Sequence, residues 1–476
     1  VLSLVLFFLF LLVNLKVMQI ANDLLQKYNV PVPRYTSYPP ANHFASSFGE
    51  SEFVSMVSSS NSANPKHIAF YFHIPFCKKI CFYCGCNAYP LGKGGLVSSY
   101  LNALKTELKM VMAHIDSNRL VSQIHFGGGT PNAVEAAALA ELVDTIRAHF
   151  SFIDNPEIAI ECNPAYLTYS YVDSLVDAGF NRFSLGIQDF KSDVLAGVNR
   201  DASAIPVNEL VSYIKGKGRG IGVNLDFIYG LPGQSAQSFR DTAKMAAAIR
   251  PDRLVTFSYA HVPWLKKHQL MLEKRGLPSA DEKMAMFQNA SEILSAEGYL
   301  PVGLDHFVLP SDELFGALQN RELHRNFQGY CTRRTTGQVY AVGVTAISQL
   351  AGGYAQNVRD IDAYISMVGA NHFPIEKGYL LADWQIATRE VINSIMCNRY
   401  FSWQQVASQL AISSSELQSL VRFDVTKVND LQLDGLISYD GNELCVSELG
   451  AFFIRNVAAL FDGDYQQQVN QYSKIV

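Results

Sequence analysis

The run His73-Ile74-Pro75-Phe76-Cys77-Lys78-Lys79-Ile80-Cys81-Phe82-Tyr83-Cys84-Gly85-Cys86 sets three cysteines in C-x3-C-x2-C spacing on one loop. That spacing suits three corners of an iron-sulfur cube. A [4Fe-4S] cluster that only carries electrons is held by four thiolates, so Cys77, Cys81 and Cys84 would leave one iron open to a ligand that is not protein. An open iron implies chemistry. A structural zinc site would want a second ligand pair at a distance, and no such pair occurs. With 8 Cys in 476 residues, the triple arises by accident on the order of once in several hundred chains. A fourth ligand at Cys86 would require a strained Cys-x-Cys step, so Cys86 is read as near the cluster without ligating it.

Outward from the loop, residues 66–279 alternate short apolar runs with helical patterns six times, the signature of a parallel α/β sheet. Strands are expected at 67–73, 122–126, 157–162, 182–188, 222–229 and 253–260. Stretches such as 98–116, 133–149, 207–217 and 237–249 carry apolar residues at three- and four-residue steps and read as helices. Six successive β-α units favour a full or partial barrel. The unusual residues sit at or just beyond the strand ends: the cysteine loop, Gly127-Gly128-Gly129-Thr130-Pro131, Glu161-Cys162-Asn163-Pro164, Gln188-Asp189-Phe190, residues 226–234, and Tyr259-Ala260-His261. In β/α barrels sites are built at that end of the strands, so one shared active site is expected there. Taken singly, the glycine turn is most often a tight connection, Glu161 equally fits a helix N-terminal acid, and Gln188 and Asp226 equally satisfy turn backbone. Together they form a polar ring.

Length allows two or three domains, and 17% charged residues with a formal charge of -5 give no footprint for nucleic acid. Cysteines outside the loop, Cys162, Cys331, Cys397 and Cys445, are scattered, which fits a reducing compartment and a cytoplasmic location. Residues 1–13 are almost wholly apolar, yet too short to span a bilayer, and they lack a basic n-region and a cleavage site. Met18 is read as the natural start, with 1–17 an apolar leader that is not native; a membrane tether is the alternative reading. The expected divisions are 18–65 as an N-terminal extension contacting the active site, 66–374 as the barrel and its extension, and 375–476 as a helical cover domain. Within the last, 402–410 and 414–420 read as a helix-turn-helix and 433–446 as a helix end with a two-strand wing. From Ile375 onward 7 Lys and Arg face 12 Asp and Glu, which opposes phosphate contact.

The loop, the glycine turn and the partial barrel resemble the radical S-adenosylmethionine (SAM) superfamily. Tyr71-Phe72-His73-Ile74-Pro75-Phe76-Cys77, Cys86, Gly186-Ile187-Gln188-Asp189-Phe190, residues 226–232, residues 324–330 and Pro33-Arg34-Tyr35-Thr36-Ser37-Tyr38-Pro39 narrow this to the oxygen-independent coproporphyrinogen III oxidases. The similarity runs over about 18–476. It implies an α/β fold, a partial (β/α)6 barrel with a mainly helical, winged-helix-like C-terminal domain. It implies an enzyme that turns two propionates of coproporphyrinogen III into vinyl groups, giving protoporphyrinogen IX through a 5'-deoxyadenosyl radical made by a [4Fe-4S] cluster.

The resemblance implies two bound SAM molecules. Tyr83, Gly129, Thr130, Gln188, Arg200, Asp226 and Ala260 match positions around the first, and Tyr71, Gly128, Glu161, Phe327, Gln328 and Ile347 those around the second. Tyr83 stands where the bacterial pattern has Phe. Tyr71, His73 and Cys86 are the implied catalytic residues, with packing an alternative role for His73. Arg34, His306 and Arg325 are candidates for the substrate propionates. A low-potential donor such as flavodoxin or ferredoxin, an unidentified electron acceptor and a monomer complete the expectation, with no membrane or nucleic-acid partner. The rival in the same superfamily is a haem chaperone, which typically lacks both Cys86 and the Pro-Arg-Tyr-Thr-Ser-Tyr-Pro segment. An electron-transfer protein would want a fourth cluster ligand.

Overall fold

The computed structural model describes residues 22–92, 95–218 and 220–465; the apolar leader 1–17 lies outside the described residues. Two compact units are present, one combining the chain up to Pro39 with Ala387 onward, the other running from Pro40 to Ile386.

The larger unit is organised by six parallel strands that neighbour one another in chain order: β1 Ile68–Ile74, β2 Val121–Gly128, β3 Phe152–Cys162, β4 Arg182–Gln188, β5 Gly222–Tyr229 and β6 Arg253–Ser258. They read as nearly unbroken apolar runs because both faces of the sheet are covered; in β1, Ile68, Phe70, Phe72 and Ile74 are all buried. The crossovers carry helices Leu96–Met112, Ala136–Arg147, Tyr169–Asp177, Val207–Lys215 and Ala236–Ile249. Each buries one stripe, as Leu139, Leu142, Val143 and Ile146 do in the second. The last starts where Ser235 Oγ accepts from the Ser238 N–H at 3.1 Å.

The sheet grows at both edges without closing. His306–Val308 and then Leu300–Val302 add antiparallel beyond β6. Gln338–Val342 lies parallel to β1 and is followed by antiparallel Ile347–Leu350, Gly353–Asn357 and Ile375–Leu380. The result is a partial barrel. Because Ile375–Leu380 belongs to this sheet, the compact unit ends later than the expected division at 375. The stretch 18–65 is likewise divided. Phe53, Met56 and Val57 of helix Glu50–Ser60 join the barrel core, whereas Tyr28, Tyr35 and Tyr38 join the core of the other unit.

At the amino-terminal ends of the strands a buried ion cluster ties the sheet together. Arg253 Nε donates to Asp312 Oδ2 at 2.8 Å, Arg182 Nε lies 3.3 Å from Glu157 Oε2, and both guanidinium groups reach Glu313 Oε1 at 3.3 Å.

The smaller unit packs helices Trp403–Leu410, Ser414–Leu420 and Val425–Leu433 against a three-stranded antiparallel sheet of Tyr400–Ser402, Glu443–Val446 and Ile437–Tyr439. The wing expected as two strands has this third because Tyr400–Ser402 pairs with the outer side of Glu443–Val446. The amino-terminal segment is strapped to the unit: Arg455 Nε donates to Pro33 O at 3.1 Å and Tyr35 OH to Asp462 Oδ2 at 2.9 Å.

Candidate active site

The cysteine loop leaves β1 and the glycine turn leaves β2, and neighbouring parallel strands bring the two side by side. Gly129 N–H donates to Ile74 O at 2.8 Å and Thr130 N–H to Phe76 O at 2.9 Å. Thr130 Oγ1 lies 3.3 Å from Cys77 Sγ. Each glycine makes room for a different neighbour. A Cβ on Gly127 would meet Glu161 Oε1 at 2.8 Å, one on Gly128 the His73 ring at 2.8 Å, and one on Gly129 the Pro75 carbonyl at 2.6 Å. The Gly129→Ala variant is expected to lose about 1–3 kcal/mol of stability by overpacking and to take up less iron on reconstitution; thermal melting and iron analysis check both.

The far limb of the loop is gripped from other strand ends. Phe82 N–H donates to Val198 O at 2.9 Å, Asn199 Nδ2 to Ile80 O at 2.9 Å, and Gln269 Nε2 to Tyr83 O at 3.0 Å and Ala260 O at 3.3 Å. His268 Nε2 donates to Cys84 O at 2.8 Å and Lys266 Nζ to Cys86 O at 2.7 Å. Arg200 Nη1 stands 3.6 Å from Cys81 Sγ while Nη2 donates to Gly186 O. Tyr83, Arg200 and Ala260, far apart in sequence, thus meet around the loop.

All the loop cysteines are free; Cys77 and Cys81 are buried, Cys84 is half-buried and Cys86 exposed. Burial pushes the Cys77 thiol up to about 11 against the pull of Thr130. The Cys86 hydrogen bond draws Cys84 below the ordinary thiol range, and Cys86 rises in turn. Three free thiols on one loop, with Arg200, Lys266 and His268 beside them, are the donor type that an iron-sulfur cluster takes.

Gln188 and Asp226 face this region from β4 and β5. Gln188 adopts a left-handed φ of 69°, and its Oε1 is buried with no protein partner. A native structure rarely leaves such an acceptor unused, and here no protein group claims it. Burial raises the Asp226 carboxyl to about 6, although Ser184 Oγ donates to it at 2.6 Å and Asn224 Nδ2 at 2.7 Å.

Next to the loop, Tyr71, His73, Glu161, Phe327, Gln328, Thr345 and Ile347 line a cavity of about 210 Å³. Five of the six residues expected around a second SAM molecule, all but Gly128, are among them. His73 is the connector. Its Nε2 lies 3.1 Å from the Asn87 carbonyl and must carry the proton, so Nδ1 accepts from Tyr71 OH at 3.2 Å. Burial lowers the His73 pKa and keeps the ring neutral. Burial opposes ionisation of Glu161 too, but the hydrogen bonds from His125 Nε2 at 3.0 Å and from the Gly128 N–H hold its carboxyl below the ordinary range. Gln328 Oε1 is a second buried acceptor without a protein partner.

The site also includes His125, bonded to the cavity residue Glu161, and Thr345 of the cavity wall, neither of which the sequence singled out. His125 binds Glu161 and lies 5.9 Å from the Tyr71 ring; its place on the same strand face as Gly127 was the available signal. Thr345 had none. Tyr100 OH donates to His73 O at 2.6 Å and accepts from Val344 N–H at 3.1 Å, and Glu107 accepts from Gly343 N–H at 2.8 Å, so helix Leu96–Met112 ties the 343–347 turn to β1. Of the propionate candidates, His306 and Arg325 meet on Tyr330, the ring at 5.0 Å and the guanidinium carbon at 4.9 Å from its centroid. Arg34 is exposed in the other unit.

The model of the radical SAM superfamily matches residues 71–246. The chain is 38% identical to the oxygen-independent coproporphyrinogen III oxidase of Synechocystis sp., over 94% of this chain and 96% of the relative. It is 35% identical to the enzyme of that name from Escherichia coli, over 95% and 98%. The solved coproporphyrinogen III oxidase of Escherichia coli, described as a radical SAM enzyme, superposes with a TM-score of 0.83 at 33% identity, covering 94% of this chain and 99% of that one.

Proposed function

The chain belongs to the oxygen-independent coproporphyrinogen III oxidases of the radical SAM superfamily, and from this we propose that it converts coproporphyrinogen III to protoporphyrinogen IX in haem biosynthesis. The observation that carries the reading is the meeting, at one end of the parallel sheet, of three free thiols with the orphaned Gln188 and the polar cavity beside them.

When bound, the cluster and SAM supply a 5'-deoxyadenosyl radical that takes a hydrogen atom from a propionate β-carbon; loss of carbon dioxide and one electron leaves the vinyl group. In our reading Cys77, Cys81 and Cys84 hold the cluster, and Arg200, Gln188 and Asp226 orient the first SAM with Tyr83, Gly129, Thr130 and Ala260. The 210 Å³ cavity takes part of a second SAM, with Glu161 accepting from it and Gly128 leaving room for the His73 ring. Tyr71, His73 and Cys86 surround the reacting propionate. Tyr71 donates its O–H to His73 Nδ1, and His73 Nε2 donates its own N–H to the Asn87 carbonyl. His306 and Arg325 are the proposed propionate partners in the larger unit. A low-potential carrier supplies the electron, and a separate acceptor, unidentified, removes the one released. Among the described residues no helix is long and apolar enough to cross a membrane; we further propose a cytoplasmic monomer.

The test is anaerobic turnover of reconstituted protein with coproporphyrinogen III, SAM, dithionite and a cell extract as electron acceptor. Vinyl product formed with methionine and 5'-deoxyadenosine supports the reading; cofactor cleavage or haem binding with no vinyl product defeats it. Asp226 adds a pH signature. Its carboxyl titrates near 6, so the charged acceptor is present above that pH and SAM affinity should decline below it. Asp226→Asn should weaken SAM binding roughly tenfold or more, the worth of a charged hydrogen bond, and flatten the acid limb, as equilibrium binding from pH 5 to 8 would register.

A further inference from the structure

The segment after β6 exposes several large apolar side chains. Trp264 is 74% exposed and Leu265 72%, and Leu270 and Met271 are exposed beside them in sequence. Large apolar side chains grouped in this way mark an interaction site. The same segment is basic: residues 259–280 hold Lys266, Lys267, Lys274 and Arg275 against one acid, Glu273, in a chain of net charge -5. Glu273 is already engaged by His261 Nε2 at 2.7 Å. The segment also rests directly on the thiol loop, through Lys266 on the Cys86 carbonyl and His268 on the Cys84 carbonyl. Gln269, buried beneath them, joins the Tyr83 and Ala260 carbonyls. Whatever docks on Trp264 and Leu265 is therefore a few residues from the thiols.

We propose that this patch is the docking surface for an acidic, low-potential one-electron carrier protein. The inference rests on the oxidase reading, which requires an electron that no group of this chain supplies. The carrier is oxidised by one electron, the cluster held by Cys77, Cys81 and Cys84 is reduced by one, and no bond forms or breaks at the surface. Exposed apolar side chains on a lysine-rich segment suit such a partner, because electron-transfer encounters bury little area and are steered by complementary charge. The exposed Trp264 and Leu265 differ from the cavity residues Tyr71, Glu161 and Gln328, which form a concave wall suited to a small ligand.

The experiment compares the reconstituted wild-type enzyme with two variants, Trp264→Ser/Leu265→Ser and Lys267→Glu/Lys274→Glu, using an acidic flavodoxin as the probe. Calorimetric titration at low and high salt reads binding, and turnover is driven either by reduced flavodoxin or by dithionite. We expect each variant to bind flavodoxin about tenfold or more weakly, the loss typical of a central aromatic anchor or of reversed steering charges. Wild-type binding should weaken with salt, and dithionite-driven turnover should not change. Unaltered flavodoxin binding in both variants overturns the proposal. So does a rise in the KM for coproporphyrinogen under dithionite, which would make the patch a substrate entrance. Binding of the wild type, but not the variants, to vesicles containing anionic lipid, with flavodoxin affinity unchanged, would make it a membrane contact. Absence of dithionite-driven turnover in the wild type would count against the oxidase reading, and the titration would still decide the docking surface.

Discussion

Cys81→Ser is expected to abolish conversion of coproporphyrinogen III and to strip the reconstituted protein of its iron-sulfur absorbance. Cys81 is buried, and its sulfur lies 3.6 Å from Arg200 Nη1. A serine there presents a hydroxyl whose proton is far harder to remove than that of a thiol, so one corner of the cluster is lost. Cys86→Ser is the informative partner. Cys86 is exposed and hydrogen-bonds Cys84, and in our reading it does not ligate the cluster, so this variant should retain iron and SAM cleavage while forming less vinyl product. Iron content, visible absorbance and separate quantification of 5'-deoxyadenosine and product distinguish the two. Iron loss in Cys86→Ser equal to that in Cys81→Ser would show the ligand assignment to be wrong.

Arg253→Met should be the most damaging change to stability. Arg253 and Asp312 are both nearly inaccessible, and the substitution leaves the Asp312 carboxylate buried with the Leu314 N–H at 2.9 Å and, as a cation, Arg182 Nη1 at 3.8 Å. Removing one partner of a buried pair costs about 3–5 kcal/mol, measurable as a lower denaturant midpoint for the larger unit. The same cluster sets an acid limit. Burial works against the charge of Glu157, but Arg182, Arg253 and Gln123 outweigh it and hold the carboxyl at about 2, against 4.5 when exposed. A depressed folded-state value means this stabilisation is complete above pH 4.5 and is lost as the pH falls toward 2. Arg253→Met should shrink that acid-sensitive component, which unfolding curves at pH 3 and pH 6 would detect.

Much of the barrel was legible because a strand buried on both faces and a helix buried on one leave local, periodic marks. The expected 182–188 and 222–229 coincide with β4 and β5. β3 was shortened to 157–162 because its first half, Phe152–Pro156, has no buried residue and contains Pro156 and a left-handed Asn155, so no apolar run announces it. The division at 375 missed strand Ile375–Leu380 for a similar reason. That strand is an edge whose residues are largely accessible, and its membership is decided by pairing with Gly353–Asn357.

The chain's local order determines the thiol spacing, the alternation that makes a parallel sheet, and the rule that loops after successive strands share one end. These follow from periodicity and connection length, both properties of neighbouring residues. Tertiary structure alone decided that Phe327, Thr345 and Ile347 wall the cavity with Tyr71 and Glu161, that His125 holds Glu161 in its charged form, and that His306 and Arg325 flank one ring. It also put Trp264 beside the cysteine loop through the Lys266 and His268 hydrogen bonds. Such juxtapositions depend on strand register and on packing between segments hundreds of residues apart, where no periodicity links the partners.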